Sequence, residues 1–166
     1  MKRLIVLFLV ASFIIASQDI SIRAERFEVN LENNYFQAHE NIVIEYGELV
    51  IEADIANYKE SKNIINLFDN IEAVYSNVTI HCQRMVFNRV DNIINASRDV
   101  KVIYNDYKIF ADTLIYYPGE GRMLFYGETT IYHHNNVLKS KDIIIDMEEN
   151  KIYSEKQTSF VISGKE

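Results

Sequence analysis

A period of 29 residues constrains this chain more than anything else in it. Small side chains stand at Ala24, Ala53, Cys82, Ala111 and Ser140, each 29 positions after the last. Two residues before each lies an aliphatic one: Ile22, Ile51, Ile80, Ile109 and Leu138. Five residues after each lies a bulky one: Val29, Tyr58, Phe87, Tyr116 and Ile145. Ten residues after come Asn34, Asn63, Asn92, Gly121 and Asn150, types that accept the left-handed backbone of a turn. Beyond the turn Phe36, Ile65, Ile94, Met123 and Ile152 share one slot, and Ala38, Leu67, Ala96, Phe125 and Ser154 share another. Further on, Ile44, Ala73, Val102, Ile131 and Phe160 align, followed by Tyr46, Tyr75, Tyr104, His133 and Ile162. Five copies without insertion or deletion read as stacked supersecondary units that bury a core only by stacking.

Within a copy, apolar and polar residues alternate on both sides of the turn, the pattern of half-buried strands. In the fourth copy a strand through Ile109–Tyr117 reaches the turn Pro118-Gly119-Glu120-Gly121 and returns through Met123–Tyr132 with a break at Gly127. Eleven Tyr, nine Phe and many Ile and Val favour strands, and with a single Pro and five Gly the turns rely on Asn and Asp. The expected fold class is all-β. Two architectures fit the period: a parallel helix of coils, or an antiparallel stack of hairpins. Hairpin-like turns at both ends of each copy favour the second, with a length of roughly 48 Å for ten strands at sheet spacing. The inward parity changes between Ala111 and Leu114, so each strand is expected to bend there and pass from one sheet into another. The result is an elongated, folded-over sheet open at both ends, with small residues where the halves converge and bulky Tyr and Ile on the far side.

Residues 1–18 have the layout of a secretory signal: Met1-Lys2-Arg3, an apolar run from Leu4 to Ile15, then Ala16-Ser17-Gln18. The run is short for a spanning helix, which wants about 20 apolar residues. A short amino-terminal anchor is the alternative, and residues 19–166 form the single expected β domain. Without Lys2 and Arg3, 15 basic side chains face 24 acidic ones. That balance does not suit nucleic acid, whose backbone demands clustered Lys and Arg. Cys82 has no second cysteine to pair with and stands in a slot filled elsewhere by Ala or Ser.

The recurring Ile-x-Ala-Asp, at Ile51-Glu52-Ala53-Asp54 and Ile109-Phe110-Ala111-Asp112, resembles the OstA-like repeat. So does Ile94-Asn95-Ala96-Ser97-Arg98-Asp99-Val100-Lys101-Val102, although Arg98, like Asp69 one copy earlier, stands where the family pattern has Gly. This is the family of periplasmic lipopolysaccharide-transport proteins, with LptA-like and membrane-anchored LptC-like forms. The resemblance spans roughly residues 20 to 162. It implies a folded-over antiparallel jelly roll whose interior holds acyl chains, a periplasmic location, and delivery of lipopolysaccharide or a related amphiphile toward the outer membrane. It also implies head-to-tail association with further copies or with related domains.

No catalytic constellation is legible. His39, His81, His133 and His134 lack metal-ligand spacing, Asp54 and Asp112 sit where capping a bend explains them, and Ser97 and Ser140 have no histidine at their level of the repeat. No enzyme activity, cofactor or metal is expected. The candidate binding residues are the interior rows: Ile44, Tyr46, Ala73, Tyr75, Val102, Tyr104, Phe125 and Ile131. The competing reading is a solid β-solenoid of the cell envelope with a dry, fully packed middle.

Overall fold

The computed structural model describes residues 19–30, 32, 35–59, 62–154 and 156–162. The expected signal segment and the turn residue Asn34 lie outside them. Twelve strands follow one another: β1 (Ile20–Arg23), β2 (Arg26–Asn30), β3 (Tyr35–Tyr46), β4 (Leu49–Lys59), β5 (Ile64–Tyr75), β6 (Val78–Asn88), β7 (Ile93–Tyr104), β8 (Tyr107–Tyr117), β9 (Arg122–His133), β10 (Asn136–Asp146), β11 (Lys151–Tyr153) and β12 (Thr158–Ile162). A 3-10 turn, Pro118–Glu120, lies between β8 and β9.

All pairings are antiparallel, and β3 to β10 pair in sequence order. Both β1 and β2 lie along the outer edge of β3, and both β11 and β12 lie along that of β10. Each outermost strand is therefore a bent strand interrupted at its bend. No pairing joins one edge to the other, so the sheet is open. Antiparallel hairpins, not coils running one way, satisfy the repeat.

The bend recurs at one level throughout. Each of the seven pairings among β3 to β10 slips register once, for example between Ser97 and Val100 on β7, which pair with Thr113 and Ala111 on β8. Even-numbered strands change inward parity there: Ala53 and Ala56, Cys82 and Met85, Ala111 and Leu114 are buried three residues apart. Odd-numbered strands carry an extra residue, a bulge that turns the chain. Its backbone is left-handed at Glu40-Asn41, Asp69-Asn70, Arg98-Asp99 and Gly127. Asp69 (φ 62°) and Arg98 (φ 66°), which stand where the family pattern has glycine, thus adopt the glycine conformation and keep the corner.

Polar side chains on the convex side hold these corners. The Asp112 carboxylate accepts the Glu128 N–H at 3.0 Å, and Asp54 accepts the Asn70 amide at 2.7 Å. Gln83 accepts the Asn70 backbone N–H at 3.3 Å, and Glu25 accepts the Asn41 amide. Bend capping was the role expected for Asp54 and Asp112. At the turn level Asn63, Asn92, Gly121 and Asn150 are all left-handed, as their slot requires. The opposite turns have two residues each and place Gly47, Ser76, Asn105 and His134 in the same region.

The corners divide every long strand into two halves, and the sheet folds so that the halves face each other. We call the half carrying the 63, 92, 121 and 150 turns the first half, and the other the second. Between them one apolar core runs from Ala38 to Ile145. Ile44, Ile51, Ile65, Leu67, Met85, Phe87, Ile94, Val102, Ile109, Leu114, Met123 and Ile143 have no exposed surface. Each large side chain buried this way stabilises the fold by about 1.5–3 kcal/mol. Small residues at Ala53, Ala73, Ala96 and Ala111 let the halves converge near the corners.

Candidate functional site

The rows singled out from the sequence all face the space between the halves. Ile44, Ala73, Val102, Tyr104, Phe125 and Ile131 are buried, and Tyr46 and Tyr75 are partly buried. Ile44, Ala73, Val102 and Ile131 belong to the second half, and Phe125 to the first. Tyr46, Tyr75 and Tyr104 stand at the second-half rim, the side away from the corners, which forms the mouth of the fold.

Side chains meet across that mouth. Tyr46 packs edge-on against Phe87 with ring centroids 5.4 Å apart, and Tyr75 against Tyr116 at 6.2 Å. Arg89 follows β6 and reaches across both rims. Its guanidinium donates to the Tyr58 hydroxyl at 2.9 Å and lies 5.8 and 5.9 Å from the Tyr46 and Tyr58 rings. Its carbonyl accepts the Tyr46 hydroxyl at 3.5 Å. The bulky Tyr rows expected on the far side thus meet the facing rim through ring contacts. Burial raises the Tyr116 hydroxyl well above the usual tyrosine range, with the neighbouring Tyr75 and Tyr104 adding to it. Desolvation likewise pushes the Cys82 thiol up to about 11, against weaker lowering by backbone hydrogen bonds at Arg84 and Ser97, so it is a packed small residue and not a nucleophile.

The contacts at the mouth also reveal an offset that the period alone does not predict. Tyr46 of β3 meets Phe87 of β6, and Tyr75 of β5 meets Tyr116 of β8. The halves are therefore slid past each other by three strands at their rims. The first half is left uncovered at the amino-terminal end, and the second half at the carboxy-terminal end. Inward slots there are exposed: Val29 by 49 %, Phe160 by 58 % and Ile162 by 71 %. At the carboxy-terminal end the gap is a cleft of about 280 Å³ lined by Tyr107, Ile131, His133, Leu138, Ile152 and Phe160, with Asn136 beside them. Its size approaches the ~300 Å³ at which small-ligand pockets begin.

The space between the halves is thus lined by apolar and aromatic side chains. Residues 21–151 match the model of the LptA/(LptD N-terminal domain) LPS transport protein family. The chain belongs to this family. A solved structure of LptH from Pseudomonas aeruginosa, the LptA-homologous periplasmic component of its lipopolysaccharide transport device, aligns over 89 % of this chain and 96 % of its own, with 12 % identity and a TM-score of 0.37. No curated protein sequence matches the chain. Beside the apolar and aromatic side chains of the interior, Thr129 and Ser140 are buried. Those two are satisfied locally. Thr129 donates to the Gly127 carbonyl at 3.1 Å, and Ser140 shares a 2.8 Å hydrogen bond with Ser154.

Proposed function

We propose that the chain carries lipopolysaccharide, or a similar amphiphile, by its acyl chains between the two halves of the sheet, and passes it through the periplasm toward the outer membrane. The observation that carries this reading is the single apolar interior, uninterrupted from β3 to β10 and bounded along its mouth by aromatic contacts instead of backbone pairing. Parting those contacts is affordable in energy. Two aromatic pairs at about 0.5–1.5 kcal/mol each and a cation–π contact at about 1 kcal/mol total at most about 4 kcal/mol. Each CH₂ of an acyl chain recovers about 0.8 kcal/mol on burial, so roughly five of them offset the opening.

Movement along such an interior exchanges one apolar contact for another and needs no local energy source. Hand-over between molecules is supported by the ends. The half left bare at one end is the opposite of the half left bare at the other, so a second copy or a related domain placed head-to-tail completes both. A photo-reactive residue at Tyr75 or Tyr104 is expected to label co-purified lipid, identified by mass spectrometry of the adduct. Absence of label at both positions, in protein exposed to lipopolysaccharide, would falsify the carrier reading.

A further inference from the structure

We infer that His133, His134 and Asp106 form a surface site for a divalent transition-metal ion of zinc type. The turn between β7 and β8 supplies the carboxylate, and the last residue of β9 with the turn that follows it supplies the imidazoles. One ligand atom from each of the three lies within 4.8 Å of the others. Zinc ligands at about 2.0–2.1 Å stand somewhat closer together than that. The remaining contraction falls on exposed side chains at turns, where rotation is cheap.

The backbone explains how consecutive residues come to share a site. Along a strand, neighbouring side chains point to opposite faces. His134 instead takes φ 53°, and its ring stacks on that of His133 with centroids 4.2 Å apart. His133 is held from its other side by Tyr107, again at 4.2 Å. The stack gathers the two imidazoles at one spot, with Asp106 and His134 exposed, and a turn of the His134 ring brings its in-plane nitrogen toward an ion shared with His133. Sequence spacing concealed the cluster because its members are 27 and 28 residues apart, close to one period. Stacking turns bring such residues side by side, as Asn77 and Asn105 also show with a 2.7 Å hydrogen bond.

The fold does not demand these histidines. The three preceding copies have Tyr46, Tyr75 and Tyr104 where this one has His133, and Gly47, Ser76 and Asn105 where it has His134. Both departures fall in one turn, and they account for two of the four histidines in the chain. Two imidazoles and a carboxylate suit zinc, nickel or copper, whereas calcium and magnesium prefer all-oxygen cages. Three protein donors leave the remaining positions to water. The ion would tie together two turns at the rim of the carboxy-terminal cleft, where His133 is also a wall residue.

Titration of the untagged chain with Zn²⁺ against a chromophoric indicator tests this. One saturable equivalent is expected. His134→Asn and His133→Tyr install residues that other copies carry at these slots, so the fold is preserved, which circular dichroism verifies. Each is expected to weaken binding at least tenfold, while His39→Asn and His81→Asn leave it unchanged. Binding that does not saturate, or that persists at full affinity in the double variant His133→Tyr/His134→Asn, overturns the assignment. Equal loss in the His39 or His81 variants does so too.

Discussion

Single residues decide where this chain can bend, and Gly127 is the clearest case. Its φ of 82° lies in the left-handed region, and a Cβ placed there would sit 2.2 Å from the Asp112 carboxylate oxygen and 2.8 Å from the Asp112 Cβ. The carboxylate cannot simply withdraw, because it accepts the Glu128 N–H. Gly127→Ala therefore combines backbone strain with a clash and breaks a corner hydrogen bond. A loss of about 2–4 kcal/mol is expected, from strain of roughly 1–3 kcal/mol and a hydrogen bond of about 1 kcal/mol. Denaturant unfolding monitored by tyrosine fluorescence measures it, and a variant within 0.5 kcal/mol of wild type (about the scatter of neutral surface changes) contradicts the account. The break at Gly127 was legible in the sequence as a strand interruption. Its partner was not, because nothing in the spacing of Asp112 says which neighbouring amide it will reach.

At the scale of elements, the bent strand is the unit that the period specifies, and its parity switch could be read from Ala111 and Leu114 alone. How the odd-numbered strands turn could not be read so directly. Only β9 uses glycine, while β3, β5 and β7 force Glu40-Asn41, Asp69-Asn70 and Arg98-Asp99 into the left-handed region. Tertiary pairing on both sides outweighs the local penalty, about 1–2 kcal/mol for an ordinary residue in that region. Asp69 and Asn70 recover part of it through the hydrogen bonds that Asn70 makes to Asp54 and Gln83. For Arg98, with φ 66° in the middle of the sheet, the expectation is the reverse of the usual cost of a glycine. Arg98→Gly removes more strain than it adds in chain entropy and is expected to raise stability by up to about 1 kcal/mol. A fall in the urea midpoint instead would show that the Arg98 side chain, and not its backbone, is what the corner depends on.

For the whole molecule, the interior rows were legible because each recurs in every copy, and a residue repeated at a fixed interval must occupy one face of a stack. The offset of the halves was not legible. It appears only in which ring meets which, such as Tyr46 with Phe87. That offset turns the inward slots Val29, Phe160 and Ile162 into exposed surface at the two ends, beside the unpaired edges of β2 and β12. Unpaired, apolar edges recruit further strands, and charged side chains on them prevent it. Replacing Phe160 and Ile162 together by Lys is therefore expected to abolish the head-to-tail association proposed above. Because both side chains are already exposed, the unfolding free energy should move by no more than about 0.5 kcal/mol. Sedimentation velocity over a range of concentrations distinguishes the outcomes: wild type should shift to larger species as concentration rises, and the variant should remain a monomer. A wild type that stays monomeric, or a variant that associates equally well, would mean that the bare ends are closed by something other than another copy of this fold.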